Sequence, residues 1–218
     1  MSVFLTGTDT GVGKTYTAVH LLRLLRATGL RCAGMKPICC GDREDAELLL
    51  EASSEGLSID EVNPIWLKTP AAPLTASRIE EARIETPRLL SGLADLKKRY
   101  DFVVVEGVGG WLVPISENYF VADLAVEMNL PVMVVAMNRL GCLNHTLLTV
   151  RSVEAHGLDC GGILLNSPKG MEADIAVETN SEILEITSGV PILPGLNADL
   201  SSVPANLRQC LGLSRNRD

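Results

Sequence analysis

Residues 3–16 read VFLTGTDTGVGKTY, and the fold class turns on them. Three apolar residues, Val3 to Leu5, give way to small and polar ones. Gly13-Lys14-Thr15 then opens a stretch with helical periodicity. A strand that breaks into a glycine-rich loop and resumes as a helix is the setting in which Gly-Lys-Thr marks a phosphate-binding loop. Successive backbone N–H groups, here those of Asp9, Thr10, Gly11, Val12 and Gly13, curl around an anion, and the helix N-terminus adds partial positive charge. Lys14 is expected to reach the outer phosphates of a nucleoside triphosphate, and the Thr15 hydroxyl to ligate Mg²⁺. The strict pattern has a glycine five residues before Gly13. Thr8 stands there and Gly7 comes one place earlier, so the loop is a longer variant.

Beyond this unit, short apolar runs alternate with longer amphipathic stretches. Arg31–Met35, Phe102–Val105, Val132–Ala136, Gly162–Leu165 and Pro191–Leu193 read, with Val3–Leu5, as buried parallel strands. Thr15–Ala27, Asp45–Ala52, Pro87–Arg99, Val121–Glu127, Leu143–Ala155 and Ala173–Ile186 read as helices. Such alternation implies an α/β fold of the P-loop NTPase type, a mostly parallel central sheet with helices on both faces. The chain has 218 residues and no Gly/Ser-rich linker, which suits a single domain. Asn63–Ser77, NPIWLKTPAAPLTAS, breaks the rhythm with three prolines. It reads as an irregular excursion, either a bland surface loop or a functional one. The tail from Leu196 is polar and weakly patterned, and is expected to end in a short helix and a weakly ordered stretch over roughly 205–218.

The formal net charge is -8, with no Lys/Arg stripe, so a nucleic-acid partner is not expected. Phosphates must be held by a local site. No apolar run approaches the roughly 20 residues of a membrane helix. The six cysteines show no CxxC pair and no zinc-like spacing with histidine. They read as free thiols of a cytoplasmic protein.

Two further stretches carry chemistry. In Phe102-Val-Val-Val-Glu106-Gly107-Val-Gly109-Gly110 an acid ends an apolar strand, where a P-loop protein puts the carboxylate that helps hold Mg²⁺. Gly107, Gly109 and Gly110 let backbone amides approach the γ-phosphate. In Gly34-Met-Lys36-Pro37-Ile-Cys-Cys40-Gly41-Asp42-Arg-Glu-Asp45, Lys36 ends the second strand and should face the same crevice. Its ammonium suits an anionic substrate or the transferring phosphoryl group. Asp45 is either a further Mg²⁺ ligand or a helix-capping acid, and Asp42 competes for both roles.

Together these pieces resemble the dethiobiotin synthetase family of biotin biosynthesis. The resemblance rests on TGTDTGVGKT, GMKPICCG, VVVEGVGGWLVPI, RLGCLNHTLLT and ILLN, in that order and spacing. It implies a ligase that uses ATP and Mg²⁺ to close a ring from diaminopelargonic acid and CO₂ or bicarbonate, through a carbamate and a carbamic-phosphoric anhydride. By resemblance, Lys14 and Lys36 lie near the γ-phosphate and the carbamate, and Thr15, Asp45 and Glu106 bind the metal. Thr10 and Cys40 match positions that touch the diamine or carbamate. Asn166 matches the reader of the adenine edge, and Pro194, Gly195 and Leu196 the loop on the base's other side. Asn144 matches a residue that binds the distal carboxylate from the neighbouring subunit, which implies a homodimer with sites at its interface. Without the family, Asn144 reads as a helix N-cap.

Three departures stand out. Gly11 replaces a frequent glutamate. Cys40 replaces a common serine, and a thiol is a weaker hydrogen-bond partner. Gly195 lacks the bulky side chain often found over the base, so loose nucleotide selectivity is expected. A partitioning or positioning ATPase, a P-loop switch, is the alternative. Such proteins usually carry an additional lysine early in the loop, where this chain has Thr8 and Asp9, and often a basic membrane helix at the end.

Overall fold

The computed structural model describes residues 1–167, 174–196 and 200–213. The chain opens with β1 (Ser2–Gly7), α1 (Lys14–Ala27) and β2 (Cys32–Met35). It continues through β3 (Ile38–Cys40), α2 (Glu44–Ala52), α3 (Ile59–Val62), β4 (Ile65–Leu67), α4 (Pro73–Ile79) and α5 (Thr86–Arg99). The middle holds β5 (Phe102–Gly110), β6 (Pro114–Ser116), β7 (Tyr119–Phe120) and α6 (Val121–Met128). The last part holds β8 (Val132–Met137), α7 (Cys142–Ala155), β9 (Cys160–Asn166), α8 (Ile175–Ser188), β10 (Ile192–Pro194) and α9 (Ala205–Cys210).

Six strands form one parallel sheet in the order β10-β9-β8-β1-β5-β2. From β1 the chain travels to the β2 edge and back, then crosses to β8. The direction therefore reverses at β1, and the crevice beyond its carboxyl end is where such sheets bind ligands. Alternate residues feed two core layers. Val3, Leu5, Phe102 and Val104 meet α1, α2 and α9. Phe4, Val103, Val105 and Val134 meet α5, α6 and α7. Covering both faces explains why the strands read as continuous apolar runs. On α1, Leu21, Leu22, Leu24 and Leu25 are buried, each worth roughly 1.5–3 kcal/mol.

The six expected strands and six expected helices are all present, with ends shifted by a few residues. Ala173, placed at the start of α8, lies outside the described residues, and Asp174 caps that helix by accepting from the Val177 N–H at 2.8 Å. The excursion at 63–77 is more regular than its composition implies. Ile65–Leu67 pairs in parallel with Ile38–Cys40 as a small side sheet, and Pro73 begins α4, where its missing N–H costs nothing. In the tail, Leu207 and Leu211 are buried in the core, and 214–218 lie outside the described residues. Among the described residues no helix is long and apolar enough to cross a membrane.

One buried asparagine ties the side sheet to the main one. Asn63 has no exposed surface. Its amide donates to the carbonyls of Lys36 at 2.8 Å and Ile65 at 2.9 Å, and its Oδ1 accepts from Arg43 Nε at 2.9 Å. Asn63→Ala leaves buried carbonyls without partners. It is expected to destabilise the fold by at least about 1–3 kcal/mol in urea unfolding, and an unchanged midpoint would show the strut to be dispensable.

Candidate active site

The loop between β1 and α1 is built to receive an anion. Gly13 sits at the N-cap with φ 89°, a left-handed conformation suited to glycine. No side chain caps α1 and no acid lies in its first turn, so its leading N–H groups stay open to a ligand. Lys14 is buried and folds back over the loop, donating to the Asp9 carbonyl at 3.2 Å.

Beside it, strand register sets the central ion pair. Met35 of β2 lies opposite Val105 of β5, so the next residues, Lys36 and Glu106, emerge side by side. Lys36 is 3% exposed and Glu106 0%. The Lys36 ammonium contacts Glu106 Oε1 at 2.6 Å and Asp45 Oδ2 at 2.5 Å. The Thr15 hydroxyl, in the first turn of α1, lies 2.8 Å from Glu106 Oε1 and 2.7 Å from Asp45 Oδ1. Asp45 lies in the first turn of α2. The N-cap of that helix is Arg43, with no side-chain cap, so the capping role considered for Asp45 does not apply. Glu106 Oε2 is buried with no hydrogen-bond partner.

Burial alone would push the Lys36 pKa down. The carboxylates of Glu106 and Asp45 more than offset this and hold it above the ordinary lysine range. Burial would raise Asp45, but Lys36 draws it below the usual carboxylate range. Lys14 is pushed down by burial first and by the Lys36 ammonium second. Two ammonium groups and two carboxylates nearly balance, so an incoming triphosphate brings uncompensated negative charge. The donors here are a hydroxyl and two carboxylates, one carrying an orphaned buried oxygen. Such an all-oxygen set fits Mg²⁺, which fills its remaining positions with water and phosphate oxygens. Among the described residues no group of three or more His, Cys, Asp or Glu is placed to hold a metal.

These groups line a cleft of about 620 Å³. It brings together Thr10, Gly11, Gly13, Lys14, Thr15, Lys36, Cys40, Asp45, Glu106 and Gly109. Asp42 also lines it but makes neither contact made by Asp45. The sequence reading missed Tyr16, Val108 and Val113, and the wall formed by Pro70 to Pro73 lies in the stretch it left open. Asp9, Val12 and Gly107 support the loops without lining the cleft. Burial first, and Glu80 second, push the Cys40 thiol up to about 11.

The remaining candidates lie apart from the cleft. Asn144 is exposed in the first turn of α7, whose N-cap is Gly141, so Asn144 is not the cap. Asn166 donates to the carbonyl of Val12 at 2.9 Å, to that of Gly13 at 3.3 Å and to Thr17 Oγ1 at 3.3 Å. It thus buttresses the loop. A Cβ on Gly195 would lie 2.6 Å from Asn166 Oδ1. The missing side chain at 195 is therefore the space that Asn166 occupies. Pro194 is exposed and Leu196 is buried in the core.

Sheet order, uncapped loop-to-helix junction and converging Lys, Thr and acids define a P-loop nucleotide-binding protein, and residues 1–202 match the AAA domain family. Among solved structures, the signal recognition particle 54 kDa protein from Aeropyrum pernix K1, in complex with GDP, superposes with a TM-score of 0.58 at 16% identity, over 97% of this chain and 46% of that one. The MinC:MinD cell division complex of Aquifex aeolicus gives 0.58 at 15%, over 92% and 83%. These likenesses concern the fold. Within the class, the chain belongs to the dethiobiotin synthetase family. It is 44% identical to the ATP-dependent dethiobiotin synthetase BioD of Akkermansia muciniphila, over 86% of this chain and 88% of that protein. The BioD of Aromatoleum aromaticum is 40% identical, over 94% and 96%.

The thiol beside the cleft gives a pH test. With its pKa near 11, Cys40 stays protonated at neutral pH, and the thiolate is the reactive form. Iodoacetamide labelling of the Cys40 peptide, followed by mass spectrometry, should rise roughly tenfold per pH unit from pH 7 through about pH 10. A rise that flattens between about pH 9 and 10 would mean an ordinary thiol.

Proposed function

We propose that this chain is an ATP-dependent dethiobiotin synthetase. One amine of diaminopelargonic acid takes up CO₂ as a carbamate. A carbamate oxygen attacks the γ-phosphorus of ATP, ADP leaves, and a carbamic-phosphoric anhydride forms. The second amine attacks the carbonyl carbon, phosphate leaves, and the ring closes. The observation that carries the reading is the presence of Lys14 and Lys36 in one cleft beside two carboxylates. Two anions must meet in this reaction, and two ammonium groups lower the electrostatic cost of that approach.

Each residue takes a role consistent with its place. The loop N–H groups and Lys14 hold the phosphates, while Thr15, Asp45 and Glu106 would hold Mg²⁺, which neutralises phosphate charge when bound. Lys36 orients the carbamate. Thr10 and Cys40, on the cleft wall, meet the diamine, and the wall at Pro70–Pro73 excludes water from it. The base is assigned to Asn166 and Pro194–Leu196 by family resemblance alone, since these residues lie outside the cleft and the Asn166 amide is turned to the loop. We take residues 1–218 as one working unit, a homodimer of the cytoplasm with no membrane or nucleic-acid partner. Exposed Leu140 and Leu148 flank Asn144 in the chain, and an apolar surface there supports a second copy of the chain docking beside the substrate's distal carboxylate.

Two assays test this. ATP turnover should depend on diaminopelargonic acid plus bicarbonate, and turnover indifferent to the diamine would overturn the reading. Lys36→Ala should lower kcat by at least about 10³-fold, a loss of ~4 kcal/mol of transition-state stabilisation. Nucleotide should still bind by fluorescence titration, because the loop amides and Lys14 remain. Retained activity would remove Lys36 from the chemistry.

A further inference from the structure

The place between Thr15, Asp45 and Glu106 already holds a cation, and that cation belongs to the protein. Lys36 Nζ touches Asp45 Oδ2 and Glu106 Oε1, while Thr15 Oγ1 touches the other Asp45 oxygen and the same Glu106 oxygen. The ligand set assigned to Mg²⁺ is therefore assembled around an ammonium group. Only Glu106 Oε2 is left over, buried and without a partner.

We propose that the Lys36 ammonium is the resting occupant of the divalent-cation site and that a divalent cation displaces it, so that filling the site and freeing Lys36 for the cleft are one event. The proposal rests on the reading of Thr15, Asp45 and Glu106 as metal ligands. Three features carry it. First, the Lys36 ammonium already sits against Asp45 Oδ2 and Glu106 Oε1, so a divalent cation taking those oxygens meets a like charge at contact range in a buried site, and the repulsion favours a single occupant. Second, Lys36 has the means to leave. Its stem is a flexible four-carbon chain, and its neighbours Cys39 and Cys40 line the open cleft. Third, Lys14 does not share the resting role, since its ammonium contacts the Asp9 carbonyl and neither carboxylate.

The consequence is an ordering rule. A protein without a divalent cation keeps Lys36 clamped at the cleft wall, its charge matched by two carboxylates and not free to bind an anion. A nucleotide arriving alone meets Lys14 but not Lys36. The cation brought with the nucleotide releases the second lysine, so the site becomes competent only when fully loaded. By linkage, whatever displaces Lys36 must bind more weakly than it would to the same carboxylates without that competitor.

The test is Mn²⁺ binding to the nucleotide-free protein, read as loss of the free-ion EPR signal. Lys36→Met removes the competing charge and should tighten Mn²⁺ binding by on the order of tenfold or more relative to wild type. If Lys36 merely orients the carboxylates, the variant binds equally or more weakly, or not at all, and any of these overturns the proposal. A second measurement needs no neutral variant. The ¹H–¹⁵N ammonium resonance of Lys36 in the wild-type protein, assigned from its absence in Lys36→Arg, should be protected from exchange without metal. It should vanish or shift as Mg²⁺ is added. A resonance unchanged at saturating Mg²⁺ overturns the exchange. Neither readout uses the diamine. Failure of diamine-dependent turnover with tightened Mn²⁺ binding would sink the synthetase reading alone, and the reverse result would sink only the exchange.

Discussion

Glu106 is a carboxylate with no exposed surface, carried on β5, between β1 and the edge strand β2 of a parallel sheet. Taking such a group out of water costs several kcal/mol unless charge and hydrogen bonds replace the solvent. Everything nearby answers that requirement. Register sets Lys36 beside it from β2, α1 delivers the Thr15 hydroxyl, and α2 brings Asp45 as the outer member of the group. All of these residues lie on the sheet face covered by α1 and α2. On β5, Phe102, Val104 and Glu106 alternate with the residues that face α5 and α6. The chain uses the same alternation to build a core and, one step further along the strand, to end it in a charge.

The same constraint explains why the cleft has its chemistry. A buried ion pair is a doubtful source of stability, because desolvation consumes most of the attraction. It is a good way to keep two opposite charges unsolvated and close to where phosphates dock. Burial at the floor and an open wall above suit a site in which charge must be rearranged and not created. Lys14 shows the complementary arrangement. It lacks a carboxylate at contact distance and leans on a backbone carbonyl, so its charge remains available to an incoming anion.

Much of this was legible in the chain itself. The strand–loop–helix unit at 3–16 stands out because a parallel strand buried on both faces must be continuously apolar, and the loop that follows must be small. The side sheet was not legible. Three-residue strands such as Ile38–Cys40 and Ile65–Leu67 show no period, and only their pairing across 27 residues, anchored by Asn63, makes them strands. Lys36 could be placed at a strand end, whereas Glu106, read as the end of its strand, lies in the middle of β5, which runs on to Gly110; their 2.6 Å contact depends on register, which no local pattern encodes. For Asp45 the alternatives of cap and ligand were separated by distance, not by spacing. Asn138 and Asn180 were missed altogether. The available signals were a polar residue just past β8 and another on the buried side of α8.

Those two asparagines extend the argument from the ion pair to the rim of the sheet. The Asn138 N–H donates to the Asn166 carbonyl at 2.7 Å, and its side-chain amide donates to the Val177 carbonyl at 3.0 Å. Asn180 donates to Asn138 Oδ1 at 2.9 Å and to the Arg139 carbonyl at 3.2 Å. Asn166 in turn grips the phosphate loop. The ends of β8 and β9, the start of α1 and the middle of α8 are thus joined by amides. An amide suits these positions because it donates and accepts without charge, so each can be buried with its polar atoms satisfied. An aspartate at 180 would bring two acceptors to face an Asn138 oxygen and a carbonyl, with no donor for either. Charge is concentrated at the floor of the cleft and excluded from the framework that holds it, and only the floor has to respond when a charged ligand arrives.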